Sequence, residues 1–89
     1  MFQEEKNRFY LTEEGKMIAE ITWEILGDGS IDVNHTFVDS SQRGKGLAEK
    51  LVLEVIKKAQ IENITIIPTC SYVAKYFETH ETYQYLLKK

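Results

Sequence analysis

The sequence predicts an α+β domain in which a mostly antiparallel sheet of about five strands is flanked by two helices. Two features of hydrophobic patterning carry that prediction. Up to Phe37 apolar and polar residues alternate, the period of half-buried strands; from Leu47 onward apolar residues recur every three or four positions, the period of an amphipathic helix. A third constraint is length. With 89 residues the chain has room for one small domain, spanning 1–89, built on a simple core.

Taken in order, Glu4-Glu5-Lys6 reads as a solvated N-terminal segment, and Asn7 to Leu11 as a strand closed by the turn Glu13-Glu14-Gly15-Lys16. From Met17 to Leu26 the odd positions Met17, Ala19, Ile21, Trp23 and Ile25 form an apolar face, with Glu20, Thr22 and Glu24 opposite. Gly27-Asp28-Gly29 supplies a tight hairpin turn. Ile31, Val33, His35 and Phe37 continue the apolar phase in the next strand, so these segments form an antiparallel meander. The period then changes. Leu47, Ala48, Leu51, Val52, Val55, Ile56 and Ala59 line one side of a helix that ends at Asn63, and Lys57 and Lys58 near its end complement its dipole. Ile64 to Ile67 is a β-branched run, stopped by Pro68, which cannot donate to a ladder. Ser71 to Thr79 forms a shorter helix with Val73, Ala74 and Phe77 inward. Tyr83 to Leu87 is expected to pack back as an extended piece, and Lys88-Lys89 to be a solvated end.

Composition narrows the function classes. At 43% hydrophobic and 28% charged residues, the chain is globular in character. A formal net charge of −3 argues against nonspecific binding to nucleic acid. No apolar run is long enough to span a membrane and the N-terminus lacks a signal-like apolar core, so a cytoplasmic location away from membranes is expected. The single cysteine, Cys70, excludes an internal disulfide and a zinc site built on several thiolates; His35, His80 and Cys70 lack the spacing of metal ligands. A monomer is compatible with all of this.

The most informative segment is Ser41-Gln42-Arg43-Gly44-Lys45-Gly46-Leu47-Ala48, which leads from a strand into the longer helix. Its glycines allow a sharp turn that gathers several N–H groups, the helix N-terminus adds partial positive charge, and Arg43 and Lys45 add full charges. That combination suits a phosphate or pyrophosphate; the alternative is a plain basic strand-to-helix turn. The segment lacks the Gly-Lys-Ser/Thr ending of a Walker loop and the third glycine of a dinucleotide fingerprint.

Arg43-Gly44-Lys45-Gly46-Leu47-Ala48 resembles the Arg/Gln-x-x-Gly-x-Gly/Ala signature of the GNAT N-acetyltransferase superfamily. More narrowly, His35-Thr36 before the loop and Pro68-Thr69-Cys70-Ser71-Tyr72-Val73, followed by Tyr76, Phe77 and His80, resemble a short, minimal branch of that superfamily. The resemblance runs from about Met17 to Leu87. It implies a truncated acyl-CoA N-acyltransferase fold and a loop, Arg43, Gly44, Lys45, Gly46, Leu47 and Ala48, whose backbone amides hold the pyrophosphate of acetyl-CoA. It also implies a strand edge at Phe37, Val38 and Asp39 that hydrogen-bonds the pantetheine arm, with an amine-bearing small molecule, peptide or protein as acceptor.

Two residues are candidates for chemistry. Histidine is the side chain whose intrinsic pKa is near neutrality, and His35 sits on the strand where relatives place a base; the alternative is a partly buried structural histidine in the phase of Ile31 and Val33. Cys70 falls at the start of the second helix, where the dipole favours a thiolate able to accept an acetyl group; the alternative is a small buried hydrophobe. The larger family's acid, a Tyr on the second helix, has its counterpart here in Phe77, which donates no proton. The helices that build much of the acceptor pocket in full-size relatives are replaced by the turn Gly27-Asp28-Gly29. These departures keep a second expectation open: a non-catalytic coenzyme A-binding or protein-interaction module on the same scaffold. A nucleotide-binding adaptor using the same loop is a third.

Overall fold

A computed structural model describes residues 2–88; Lys89, part of the expected solvated end, lies outside the described residues. The sheet has five strands in sequential order: β1 Gln3–Glu5, β2 Arg8–Glu13, β3 Lys16–Ile25, β4 Ser30–Val38 and β5 Thr65–Pro68. The first four are antiparallel, and β5 joins β4 in parallel after the crossover through helix α1, Leu47–Glu62. Helix α2, Ser71–Glu78, follows β5. The expected α+β architecture, with its meander, long helix, short strand and short helix, is the one observed.

One face of the sheet carries the core. Ala19, Ile21, Trp23 and Val33 project from β3 and β4 against Leu51, Val52, Val55, Ile56 and Ala59 of α1, with Val73 and Phe77 of α2 completing the cluster. The α1 residues recur at helical spacing because side chains three and four apart share a face. Asn63 ends the helix in the left-handed conformation, φ 58°, and its N–H and that of Ile64 return to the Ala59 carbonyl. The opposite face of the sheet is polar. There Arg8 bridges Glu5 at 2.6 Å and Glu20 at 2.7 Å with its guanidinium over the Tyr10 ring, and the Thr22 hydroxyl donates to Asn34 Oδ1.

Three expectations are corrected. Glu4-Glu5-Lys6 is not merely solvated, since Gln3–Glu5 forms edge strand β1, in register with Arg8 to Tyr10. The tail Glu81–Leu86 coils as a 3-10 helix, with only Leu87 bridging to Ile66; Lys88 is anchored by its N–H to the Ile66 carbonyl and by its ammonium to Asp28. The third correction reaches the site. Thr22 pairs with His35 but Trp23 pairs with Val33, so Asn34 is an extra residue, a β-bulge. One inserted residue reverses the parity of a strand. Beyond the bulge Thr36 and Val38 lie opposite the buried Ile21 and Ala19, while His35 and Phe37 turn to solvent instead of continuing the phase of Ile31 and Val33.

Candidate functional site

The pairing of β4 with β5 stops at Val33 and Pro68. The Cys70 N–H takes the Val33 carbonyl at 3.0 Å, and the chain then leaves β4 to enter α2. From Asn34 onward the β5 side of β4 is therefore open. Which peptide groups face the opening follows from register. The Asp39 N–H bonds the Ile18 carbonyl at 2.8 Å and Phe37 pairs with Glu20, so these residues direct their peptides to β3; the intervening residues, Thr36 and Val38, direct theirs away from it. Of the expected edge Phe37, Val38 and Asp39, only Val38 offers its backbone to the opening, and Thr36 joins it. The Asp39 carboxylate is occupied elsewhere: it accepts from the Ser41 hydroxyl and N–H, interactions that hold its pKa below the ordinary carboxylate range, and pairs with Lys16 at 3.4 Å.

The loop stands at the far end of the same edge. A 3-10 turn over Ser40–Gln42 leads to Gly44 and Gly46, with φ of 83° and 71°, a left-handed region that favours glycine. Gly46 is the N-cap of α1 and brings no side-chain cap. The first bond of the helix runs from the Lys50 N–H to the Gly46 carbonyl at 3.1 Å, so the amides of Leu47, Ala48 and Glu49 precede it and have no intrahelical acceptor. With Arg43, Gly44, Gly46, Val38 and Tyr72 they line a groove of about 260 Å3. Arg43 is exposed; Lys45 instead donates to the Oε1 of the buried Gln42 at 2.9 Å, so it braces the loop.

Cys70 is the N-cap of α2 and is half-buried. Its Sγ lies 3.4 Å from Thr36 Oγ1. Burial pushes the thiol up, but the Thr36 hydroxyl and the nearby backbone N–H groups of Val73, Tyr72 and Thr36 outweigh it, and the thiol titrates below its usual value. The sulfur thus sits at the start of α2, beside Thr36 just beyond the end of the β4–β5 pairing. His35 is exposed on the polar face, and among the described residues no hydrogen bond joins it to Cys70. Sequence alone does not mark Thr36 as the partner of Cys70, although His35-Thr36 is one of the pairs that carry the resemblance. Tyr72, named in the sequence only within the Pro68 to Val73 segment, walls the loop groove.

Phe77, at the position of the family's acid, is fully buried. The neighbouring Tyr76 directs its hydroxyl to Glu49 at 3.5 Å and stacks on His80 at 3.8 Å between ring centroids. Burial first, and then the Glu49 carboxylate, push the Tyr72 and Tyr76 phenols up, so both stay neutral. A larger cleft, about 610 Å3, lies at the other pole, beside Gly27, Gly29, Trp23 and Lys58, and includes neither the loop nor Cys70. Convergent chemistry outweighs volume here, and the opening is the candidate site.

A family model described as GCN5-related N-acetyl-transferase matches residues 8–86. The chain belongs to this family. Protein NATD1 from Xenopus tropicalis is 31% identical over 68 residues, covering 76% of this chain and 62% of NATD1. The match therefore spans less than two thirds of that relative. The solution NMR structure of a GCN5-like protein from Staphylococcus aureus superposes with a TM-score of 0.82 at 29% identity, covering 99% of this chain and 87% of that one. The N-acetylglutamate synthase from Neisseria gonorrhoeae, solved with coenzyme A and N-acetyl-glutamate, shares the fold with a TM-score of 0.65 at 15% identity, over 81% of this chain and 18% of that one. Among the described residues no helix is long and apolar enough to cross a membrane.

Proposed function

We propose that this member of the family binds acetyl-CoA in the opening beside β4 and transfers the acetyl group to an amine by way of Cys70. The observation that carries the reading is a convergence. Amides without intrahelical acceptors at the start of α1 share a groove with Val38, and a thiol pulled below its usual range lies beside Thr36, so the loop, the edge of β4 beyond its pairing with β5, and Cys70 follow one another along one side of β4. In this reading the pyrophosphate sits on the Gly44 to Ala48 backbone with Arg43 alongside, and the pantetheine amides pair with the peptides of Thr36 and Val38. That brings the thioester to Cys70.

The Cys70 thiolate attacks the acetyl carbonyl, the bond from carbonyl carbon to coenzyme sulfur breaks, and coenzyme A leaves as a thiolate that takes a proton from water. The N–H groups of Thr36, Tyr72 and Val73 that favour the Cys70 thiolate favour it again as the leaving group in the second step. An unprotonated amine then attacks acetyl-Cys70, the carbon–sulfur bond breaks, and the amide is released. His35, exposed on the polar face of β4, takes the proton the amine sheds. A reaction through Cys70 asks nothing of Phe77.

Intact-protein mass spectrometry tests this reading. Incubation with acetyl-CoA adds about 42 Da at Cys70, and the Cys70→Ser variant gains nothing there. A second reading, coenzyme binding without turnover, is favoured by the buried Phe77 and by the engagement of the Tyr76 hydroxyl with Glu49. It predicts acetyl-CoA-dependent amide shifts at Arg43 to Ala48 with no adduct on the protein and no acetylated amine.

A further inference from the structure

The cleft at the pole away from Cys70 has an interior that the proposed chemistry does not use. Its floor is apolar: Trp23 and Ile31 are each 3% exposed, and Ile64 is half-buried. Its rim is charged. Lys58 donates to Glu4 at 3.0 Å and to Glu62 at 2.8 Å, and its ammonium lies 5.5 Å from the centre of the Trp23 ring. At about 610 Å3 the cleft is of a size that holds a small organic molecule. Ile31, at its floor, precedes Thr36 on β4 by a span of roughly 17 Å at strand rise, so a ligand here is out of reach of Cys70.

The chemistry of that ligand follows from what the cleft leaves unspent. Asn7, on the turn between β1 and β2, lines it, and among the described residues its buried Oδ1 has no hydrogen-bond partner. A buried acceptor without a partner is costly, and a donor on a ligand removes that cost. Two carboxylates, Glu4 and Glu62, share one ammonium, so this part of the rim holds one negative charge in excess. Of the other charges at the cleft, Glu5 is engaged by Arg8 and Lys6 is exposed to solvent. Glu62 is also the last residue of α1, where the helix dipole disfavours a carboxylate, and its half-exposed i,i+4 pair with Lys58 gives little in return. Acceptors and surplus negative charge thus border an apolar floor.

We propose that this cleft is a second ligand site, for a small organic monocation: a primary ammonium on an aromatic or branched aliphatic body. The body lies against Trp23, Ile31 and Ile64, and the ammonium donates to Asn7 and to the carboxylates of Glu4 and Glu62. The same carboxylates repel an anionic ligand. The cleft joins the turn between β1 and β2, the turn between β3 and β4, and the end of α1, so its occupant ties together segments distant in sequence and raises the melting temperature. The inference does not depend on the acetyl-CoA reading.

Trp23 is the only tryptophan of the chain, so its fluorescence reports on this cleft directly. The probes share one body and differ in charge: phenethylamine, 2-phenylethanol and 3-phenylpropionate. Phenethylamine changes Trp23 emission saturably and binds about fivefold more tightly than the alcohol, the range of a partly exposed ion pair; the carboxylate does not bind. Glu62→Gln removes the surplus charge, brings amine and alcohol to equal affinity and leaves the melting temperature of the free protein unchanged. Asn7→Gly keeps the left-handed backbone, φ 67°, without strain and weakens both ligands about fivefold, the loss of one hydrogen bond. Amide shifts place the amine at Asn7 and Lys58. The inference is overturned if phenethylamine leaves Trp23 emission unchanged, if it moves the amides of Thr36 and Cys70 and not those of Asn7 and Lys58, or if Glu62→Gln keeps the preference for amine over alcohol.

Discussion

Gly46 separates the loop's structural role from its proposed role in ligand binding, and Gly46→Val is the perturbation that resolves them. At φ 71° a valine is strained, yet a Cβ placed there meets nothing within 4 Å, so no clash inside the protein adds to the strain. Gly27, in the turn at the opposite pole, is matched to it: φ 80°, and again nothing within 4 Å of an added Cβ. Each valine variant therefore loses about 1–3 kcal/mol of stability, the cost of holding a residue with a side chain in the left-handed region. For a domain of this size each kcal/mol lowers the melting temperature by roughly 4–8 °C. Affinity for acetyl-CoA is where the two part. Gly46 lines the loop groove, and a side chain there stands in space the ligand needs. Displacing a phosphate oxygen from one amide forfeits a charge-assisted hydrogen bond of about 1.5–3 kcal/mol, a loss of roughly tenfold to a hundredfold in binding. Gly27→Val leaves binding unchanged. Lys45→Ala weakens it less than about threefold, because the ammonium already serves Gln42 and exposed charges contribute little. Calorimetric titration with acetyl-CoA, beside thermal melts of each variant, reads both quantities. A folded Gly46→Val chain with wild-type affinity would refute the assignment of the loop.

Thr36→Val removes the hydroxyl partner of Cys70 and moves the thiol's titration upward, whereas Thr36→Ser restores it; the pH dependence of iodoacetamide alkylation reports the midpoint, and an unmoved midpoint would mean the amides alone set it. Asp28 provides a test of acid stability. The hydrogen bond from Lys88 and then those from Ser30 lower its pKa from 3.8 to about 2, so its stabilisation is present above the ordinary carboxylate range and is lost as pH falls toward 2. The stability gap between wild type and Asp28→Asn, followed by urea unfolding, is constant near neutrality and closes over that acid window; a gap that stays constant down to pH 2 contradicts the assignment. Leu51→Ala, in the second turn of α1 with no exposed surface, costs about 2–5 kcal/mol in the same assay, and a loss under about 1 kcal/mol would show that the core closes over the vacancy.

Elements whose signal is local were legible in the sequence. The alternation of Ala19, Ile21 and Trp23 marks β3 because one face is buried and the other wet, and the α1 stripe from Leu47 to Ala59 marks the helix for the same reason. The loop was legible because left-handed backbone at Gly44 and Gly46 needs glycine. The bulge at Asn34 was not. No proline or glycine announces it, and its effect shows only once Thr22 and Trp23 fix the register of the partner strand. Strand β1 was hidden likewise: Gln3, Glu4 and Glu5 have no apolar phase, and Tyr10 and Arg8 hold Gln3 and Glu5 through polar contacts. Thr36 and Cys70 stand 34 positions apart, and only the parallel register of β4 and β5 brings them together. The residue types at the site were visible, but the partnership of Thr36 with Cys70 was tertiary.

The opening that makes the site is itself encoded twice. On β4, the bulge at Asn34 interrupts the regular strand just beyond Val33, the last residue paired with β5, and bulges bend and twist the strand that carries them. On β5, Pro68 closes the strand and has no N–H to extend the ladder. The Val33 carbonyl is claimed by Cys70 instead, so the residue that ends the pairing is also the one that caps α2 and presents the thiol. At the other pole the sheet is tied shut: the Thr65 N–H bonds the Gly29 carbonyl, and Lys88 reaches Asp28. Opposed ends of one strand pair, one sealed and one held apart, keep the gap at Thr36 and Val38 from closing into ordinary sheet. A ladder that continued past Val33 would consume the peptides of Thr36 and Val38 and cover Cys70. The interruption of the sheet is therefore the feature from which the chemistry of the site follows.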